Sequence, residues 1–252
     1  MRPLNARSVV LSVLLGRRPP ELPASALVRL GGLFGISDGT MRTALSRMLA
    51  AGELAGDAEG YRLVGRLLER KAAQDAGRAA PPPRWDGTWV TVLVTAARRD
   101  STERRAFRTH MANLRMGELR PETWLRPDNL PPLPDATAEG LGVAVVRGPL
   151  TGDDPAELVA RLWPLAEIAA AADELRRRVD AALPTLHRDL AALPANFTLA
   201  AEVVRFLRAE PLLPPALCPQ PWPPDALRAA YDEFDRAFGA TLLTAIDAPR
   251  RR

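Results

Sequence analysis

Prolines and glycines divide the first 52 residues into short segments, which limits this part of the chain to short helices and turns. Residues 5–15 carry apolar side chains at helical spacing, and the Pro19-Pro20 pair removes backbone donors beyond them. Residues 24–33 show the same spacing, and a third helical periodicity covers residues 38–51. The sequence therefore predicts three short helices at the front of the chain.

A tight turn separates the second predicted helix from the third. Gly35 lies in this turn, and the Ser37 side chain can accept a hydrogen bond from the first turn of the helix that follows. Asp38 is favourable at the positive end of that helix, and Gly52 is a typical stop. A helix, a short glycine-containing turn and a second helix form the helix-turn-helix pattern.

The third predicted helix has two faces of different composition. Its inner face is apolar at spacings of three and four residues, with Met41, Ala44, Leu45, Met48 and Leu49. Its outer face carries hydroxyl and guanidinium groups, on Thr40, Arg42, Thr43, Ser46 and Arg47. Ser, Thr and Arg reach phosphates and base edges in a major groove, whereas an ordinary solvated surface more often carries Glu and Lys. We therefore favour a DNA-contacting helix, with Ser37 beside the same surface, over a plain solvated face.

Two short strands are predicted after the third helix. Residues 53–55 and 61–64 flank a loop with a glycine at each end, which is typical of a hairpin. Such a hairpin would be the wing of a winged helix-turn-helix domain. From it, Arg62 can contact a phosphate or the minor groove, whereas Asp57 and Glu59 at the tip oppose deep insertion. The sequence alone does not decide whether this wing contacts DNA.

The excess of basic over acidic residues is confined to the first part of the chain. Residues 1–76 carry 11 basic and 7 acidic side chains, a net charge of 11 − 7 = +4, whereas residues 77–252 carry 23 of each. A localised cationic domain is typical of a protein that contacts phosphates. Since 33 of the 34 basic residues are arginine, compositional bias is the competing explanation, and charge alone does not identify a DNA-binding domain.

The composition changes after the predicted winged helix-turn-helix domain of residues 1–76. Residues 77–84 contain three successive prolines and form a predicted linker, because proline-rich segments act as semi-rigid spacers. Residues 163–252 are helical in character and are predicted to form a domain for effector binding and dimerisation. The predicted fold class of the whole chain is α+β.

A central α+β domain is predicted over residues 85–162. The alternating branched and aromatic pattern indicates strands at residues 89–95, 123–126 and 141–147, and helical spacing indicates helices at residues 102–114 and 155–162. This β-α-β-β-α order is typical of a ferredoxin-like domain.

The sequence offers little for a metal site, a disulfide or a membrane span. Cys218 is the single cysteine, and the two histidines, His110 and His187, are not part of a cluster with zinc-like spacing. No apolar run approaches the roughly 20 residues needed to cross a bilayer. We expect no cofactor, no bound metal, no membrane partner and a reducing, cytoplasmic environment.

Short motifs along nearly the whole chain resemble the PaaX family of phenylacetic acid catabolism repressors. In the first part these are Gly35-Ile36-Ser37 and Met41-Arg42-Thr43-Ala44-Leu45-Ser46-Arg47. In the middle they are Trp89, Arg104, Arg105, Leu114, Gly117, Leu119 and Trp124-Leu125-Arg126-Pro127. Near the end they are Arg205-Phe206-Leu207, Glu210-Pro211-Leu212-Leu213-Pro214 and Trp222-Pro223. The resemblance depends on the order of these motifs, since each alone is short.

The resemblance implies a function as well as a fold. PaaX-like proteins are dimeric repressors of catabolic operons, and the founding member is released from its operator by phenylacetyl-CoA. This implies double-stranded operator DNA, a second copy of the chain and an acyl-CoA or related aromatic-acid effector as partners. Pro224 stands where the family has a glycine, and no effector-binding residue is carried over.

An enzyme is the alternative function. Ferredoxin-like domains also occur in small metal-dependent nucleases, which hold Mg²⁺ with a carboxylate at a strand end. Here the first carboxylate after the strand of residues 89–95 is Asp100. Phosphate-binding and nucleophile-elbow motifs are missing from the sequence, so a regulator without catalytic residues is the preferred interpretation.

Overall fold

The computed structural model describes residues 5–81, 84–95, 100–133, 141–186 and 190–247. Pro82 and Pro83 of the predicted linker, and His187, lie outside these ranges. The chain forms two compact units, each assembled from separate stretches of sequence. The first unit comprises residues 1–76, 174–205 and 227–252, and the second comprises residues 77–173 and 206–226.

Three helices begin the first unit, close to their predicted bounds. Helix α1 is Ala6–Gly16, capped by the Asn5 side chain, which accepts a hydrogen bond from the Ser8 backbone. Helices α2 and α3 are Ala24–Leu33 and Asp38–Ala50. The turn between α2 and α3 contains Gly35, whose φ of 70° is the left-handed conformation that glycine adopts without strain.

The core of these helices contains most of the side chains that the helical spacing predicts. Val9, Leu14, Leu27 and Leu30 are fully buried, together with Met41 and Leu45 of α3. A Cβ atom at Gly31 would lie 2.6 Å from the terminal methyl group of Met41, so the end of that side chain would have to shift. One prediction for the inner face of α3 is wrong, because Leu49 is 37% exposed.

A small antiparallel sheet accompanies the helices. Strands β2, Leu54–Gly56, and β3, Tyr61–Leu63, form the predicted hairpin. Strand β1, Glu21–Leu22, pairs with β3, and the order is β1-β3-β2. Strand β1 is not predictable from the sequence, because two residues that follow two prolines carry no periodic pattern.

Helix α4 is Arg66–Arg78, and a side chain of this helix binds the end of α1. Lys71 is buried, and its Nζ donates to the Leu15 carbonyl oxygen at 3.0 Å. Asp75 lies 3.3 Å from the same ammonium and 3.0 Å from the Arg18 guanidinium. A positive side chain at a helix C-terminus satisfies a free carbonyl and interacts favourably with the helix dipole.

The second unit contains a four-stranded antiparallel sheet in the order β5-β6-β4-β7. Its strands are β4, Thr88–Val94; β5, Gly117–Arg120; β6, Thr123–Pro127; and β7, Val143–Pro149. Strand β5 was not predicted, since Gly-Glu-Leu-Arg lacks the alternating apolar pattern of a half-buried strand. Helix α5 is Ser101–Asn113, and helix α6 is Pro155–Leu162.

Both faces of this sheet carry an apolar core. On one face, Val90, Val92 and Trp124 pack with Phe107 and Met111 of α5. On the other face, residues of α6 and of the segment around a 3-10 turn, Pro215–Leu217, pack against the sheet at Trp89, Leu125, Leu158, Val159, Leu213 and Leu217. The alternation of side chains along each strand places the two sets on opposite sides.

The rest of the described chain is helical. Helices α7, Leu165–Ala182; α8, Leu193–Ala209; and α9, Pro223–Asp247 contribute residues to both units. Two further 3-10 turns, Leu183–Thr185 and Leu190–Ala192, lie between α7 and α8. Within the described ranges, no helix is long and apolar enough to span a membrane. The fold is thus mixed α/β, with two small antiparallel sheets and a helical C-terminal region.

The first unit joins the N-terminal helices to the C-terminal ones. The Phe34 and Phe197 rings lie 5.0 Å apart in an edge-to-face contact, and Arg178 of α7 pairs with Glu202 of α8 at 2.7 Å. Edge-to-face aromatic pairs contribute about 0.5 to 1.5 kcal/mol beyond their burial. Residues of α8 therefore take part in the packing around the α2–α3 turn.

A buried arginine fastens the end of α8 in the second unit. Arg115 has a φ of 60° and donates from its two terminal nitrogens to the carbonyl oxygens of Leu207 and Glu210. Glu210 is also buried, and its carboxylate accepts a hydrogen bond from Trp222 Nε1 at 3.4 Å. Carbonyls at the end of a helix lack partners within the helix, so Arg115 supplies donors that they need.

Candidate nucleic-acid interface

The N-terminus of α3 holds two of the predicted contact residues in place. The Ser37 hydroxyl accepts from the Thr40 backbone N–H at 3.2 Å and lies 2.9 Å from the Thr40 hydroxyl. Both side chains are exposed, so each retains room for a further hydrogen bond. The cap serves the helix and also determines where these hydroxyl groups point.

The middle of the outer face presents a third and a fourth hydroxyl group. Thr43 Oγ1 donates to the Gly39 carbonyl oxygen at 2.9 Å, which leaves its oxygen able to accept. Ser46 is exposed one turn further along. These residues recur at the spacing of one helix face, so the structure brings the predicted α3 hydroxyl groups together on one surface.

Arg42 and Arg47 are the cations of this face. Both are exposed, and among the residues that the structure describes neither guanidinium forms a hydrogen bond or an ion pair. Two other arginines of the same unit are paired: Arg7 with Glu53 at 2.5 Å and Arg18 with Asp75 at 3.0 Å. The unpaired positive charge of α3 is therefore concentrated on the surface that carries the hydroxyl groups.

Arg7, unlike Arg42 and Arg47, is engaged by a carboxylate, that of Glu53. The hydrogen bonds from the Arg7 guanidinium hold the pKa of the Glu53 carboxyl below its usual value and raise the pKa of Arg7. A guanidinium already engaged by a carboxylate must leave that partner before it can bind a phosphate, at a cost of up to about 1 kcal/mol for an exposed pair. Arg42 and Arg47 have no such competitor among the described residues.

Arg62 is not part of the α3 surface. It lies on β3, half-exposed, and its Nη1 donates to Asp57 Oδ2 at 2.7 Å. Hydrogen bonds from the Glu59 and Gly60 backbone, and then the Arg62 pairing, lower the pKa of the Asp57 carboxyl. At the tip of the β2–β3 hairpin, Arg62 and Asp57 thus neutralise each other, and Arg62 must leave Asp57 before it can contact a phosphate.

Gly39 is a residue of this surface that sequence reasoning missed. It lies three, four and seven residues before Arg42, Thr43 and Ser46, so it shares their face. It is exposed, its φ is not positive, and a Cβ atom there would meet nothing within 4 Å. Neither backbone conformation nor packing explains this glycine, and the i, i+3, i+4, i+7 spacing was the available signal.

Asp100, the candidate metal ligand of the alternative function, is used as a helix cap. Its carboxylate accepts from the Glu103 backbone N–H at 2.8 Å, and Glu103 accepts from the Asp100 backbone N–H at 2.8 Å. This reciprocal pair is a capping box. Within the described ranges, no group of three or more His, Cys, Asp or Glu side chains is placed to hold a metal ion.

Comparison with known proteins identifies relatives of both sheet-containing parts. The family described as "PaaX-like protein" matches residues 5–67, and the family described as "PaaX protein central Cas2-like domain" matches residues 82–155. The solved structure of uncharacterized protein Rv0674 from Mycobacterium tuberculosis is 39% identical, with a TM-score of 0.76, over 96% of this chain and 98% of that one. No curated protein matches the chain. Together the family matches cover more than half of the sequence, and the chain belongs to the PaaX family.

Proposed function

We propose that this protein is a DNA-binding transcription regulator whose α3 enters the major groove. The observation that carries the proposal is the exposed α3 face, where two guanidinium groups without a described partner lie among hydroxyl groups and one bare glycine. In this proposal α1 to α3 and the β2–β3 hairpin form a winged helix-turn-helix domain, with α3 as its recognition helix. Membership of a family of transcription regulators supports the assignment.

The chemistry of the face suits a mixture of backbone and base contacts. An arginine can grip guanine O6 and N7 with two hydrogen bonds, and this is worth about 1 to 3 kcal/mol of discrimination against the wrong base. Short hydroxyl side chains bind phosphates without holding the helix away from the groove. We assign Arg42 and Arg47 as anchors, and Thr40, Thr43 and Ser46 as contacts that set the register.

The wing has a smaller part in this assignment. Since Arg62 is paired with Asp57, a wing contact costs the separation of that pair. The contact that we propose for Arg62 is to a backbone phosphate.

The second unit carries the regulatory part of the proposal. Its strand order is that of a ferredoxin-like sheet, in keeping with the Cas2-like match. Two copies of the chain would place two α3 helices in successive major grooves, about one helical turn apart. A small-molecule effector, such as an aryl- or acyl-CoA thioester, would favour a conformation that no longer fits this spacing and so lift repression.

Fluorescence anisotropy of the full chain with labelled duplexes tests the function directly. Duplexes from the promoter upstream of its own gene should bind more tightly than a scrambled duplex of equal length. The affinity should fall linearly on a log–log plot against salt concentration, because bound phosphates release counterions. Equal affinity for both duplexes, or no dependence on salt, contradicts the proposal.

Gly39→Ala should separate DNA binding from folding. Replacing an exposed helical glycine by alanine stabilises a helix by up to about 1 kcal/mol. If the DNA backbone lies against Gly39, the added methyl group overpacks the interface and weakens binding by about 1 to 3 kcal/mol. We expect a higher midpoint of urea unfolding together with a lower affinity for the promoter duplex.

Gly32→Ala is the matched control. Gly32 is an exposed glycine of α2 with nothing within 4 Å of an added Cβ atom, and it lies outside the α3 face. It should gain stability and keep its DNA affinity. Equal affinities for the two variants would remove Gly39 from the interface.

A further inference from the structure

The described part of the second unit contains a buried cation that is only partly compensated. Arg126 of β6 is 4% exposed. Its Nη2 donates to the Pro131 carbonyl oxygen at 2.6 Å, whereas its buried Nε has no hydrogen-bond partner among the residues that the structure describes. Burying a charge without full pairing is costly, so such a group is uncommon in a core that serves only stability.

A second guanidinium lies on the same face of the sheet. Val90 of β4 is paired with Arg126 on one side and with Arg147 of β7 on the other. Residues directly opposite each other in a sheet project to the same face, so the two arginines flank Val90. The Arg147 side chain is 43% exposed, so this second guanidinium is accessible to solvent.

One carboxylate serves both arginines. Asp128 Oδ2 lies 3.5 Å from Arg147 Nε, and the Asp128 backbone N–H is held by the Thr88 carbonyl oxygen at 2.9 Å. Burial lowers the pKa of Arg126; the nearby Asp128 raises it, and Arg147 lowers it further. Among the described residues, these two guanidinium groups and the one carboxylate carry a net charge of +1.

We propose that Arg126 and Arg147 form a binding site for the anionic group, a carboxylate or a phosphate, of a small ligand. Guanidinium groups are well suited to both anions, because their planar forks donate paired hydrogen bonds. The ligand neutralises the remaining charge and accepts from the free Arg126 Nε. The role of this site in regulation rests on the proposed function. Binding of the anion does not, because it requires no DNA.

The test measures anion binding to the full chain by thermal unfolding and isothermal titration calorimetry. Sodium phosphate and sodium benzoate are the probes, and sodium chloride at equal ionic strength is the reference. We expect at least one probe to raise the unfolding temperature above the chloride reference. A response to phosphate alone identifies a phosphate-bearing ligand, and a response to benzoate alone identifies a carboxylate.

Three variants assign the response to this site. Arg147→Gln should weaken binding roughly tenfold, the loss expected for one hydrogen bond to a charged group. Asp128→Asn should strengthen it, because removal of the competing carboxylate leaves both guanidinium groups to the probe. Arg161→Gln is the control, since Arg161 is an exposed arginine of the same unit paired with Asp153 at 2.9 Å, and it should bind like the original chain.

Opposite effects of Arg147→Gln and Asp128→Asn are the signature of a binding site, since a structural ion pair is weakened by loss of either partner. The site does not exist if neither probe exceeds chloride, if Arg147→Gln keeps full binding, or if both variants bind equally weakly. Each of these results leaves promoter binding unaffected, so failure of the site and failure of the proposed function are distinguishable.

Discussion

Arg47→Ala should weaken binding to the promoter duplex by about 1 to 3 kcal/mol and reduce the preference for that duplex over a scrambled one. The reason is that Arg47 is exposed on the proposed groove-facing surface of α3, and no described residue neutralises it. Removing a hydrogen bond to a base lowers the affinity mainly for the sequence that contains that base. Anisotropy titrations with both duplexes at one salt concentration give this difference.

Arg176→Ala is the control for loss of one positive charge. Arg176 lies on α7 and pairs with Asp180 at 2.8 Å, outside the proposed interface. Its removal should leave the ratio of the two affinities unchanged. If Arg47→Ala instead weakens both duplexes equally, Arg47 is a phosphate contact, and an unchanged affinity removes it from the interface.

Arg115→Met should lower the free energy of unfolding by about 2 to 4 kcal/mol, since each carbonyl oxygen left buried without a donor costs about 1 to 3 kcal/mol. Methionine retains the apolar length of the side chain but cannot bind the Leu207 and Glu210 carbonyls. Urea denaturation followed by circular dichroism measures the change.

Arg208→Met separates this effect from the loss of any arginine near the end of α8. Arg208 donates to the Asn113 side chain at 3.3 Å in an exposed hydrogen bond. Because exposed interactions contribute little, its unfolding free energy should change by less than about 0.5 kcal/mol. If both variants lose the same free energy of unfolding, the hydrogen bonds of Arg115 do not stabilise this segment more than an exposed arginine does.

The α3 surface is the part of the site that could be predicted from residue order. A serine cap, apolar residues at helical spacing and a glycine stop are local signals, and they place the outer side chains on one face whatever the rest of the chain does. For the same reason the bounds of α1, α2 and α3 lie close to the predicted ones.

Leu49 and Arg62 show where local signals fail. The helical period puts Leu49 with the core, yet it is 37% exposed, because burial depends on which elements cover a position. The sequence predicts that Arg62 lies on a hairpin strand, but it does not predict whether a carboxylate pairs with it. The ion pair with Asp57 depends on how the turn folds. The short strands β1 and β5 exist because neighbouring strands offer them hydrogen bonds, not because of their own pattern.

The sequence by itself determined the three N-terminal helices, the hairpin, the two-faced α3 and the resemblance to the PaaX family, because these depend on residues close together in the chain. Only the tertiary structure decided how stretches far apart combine: Phe34 with Phe197, Arg115 with the end of α8, and Arg126 with Arg147 across a shared strand. Such arrangements form where the favourable free energy of burial and hydrogen bonding exceeds the entropic cost of closing long loops. A short stretch of sequence does not determine that difference.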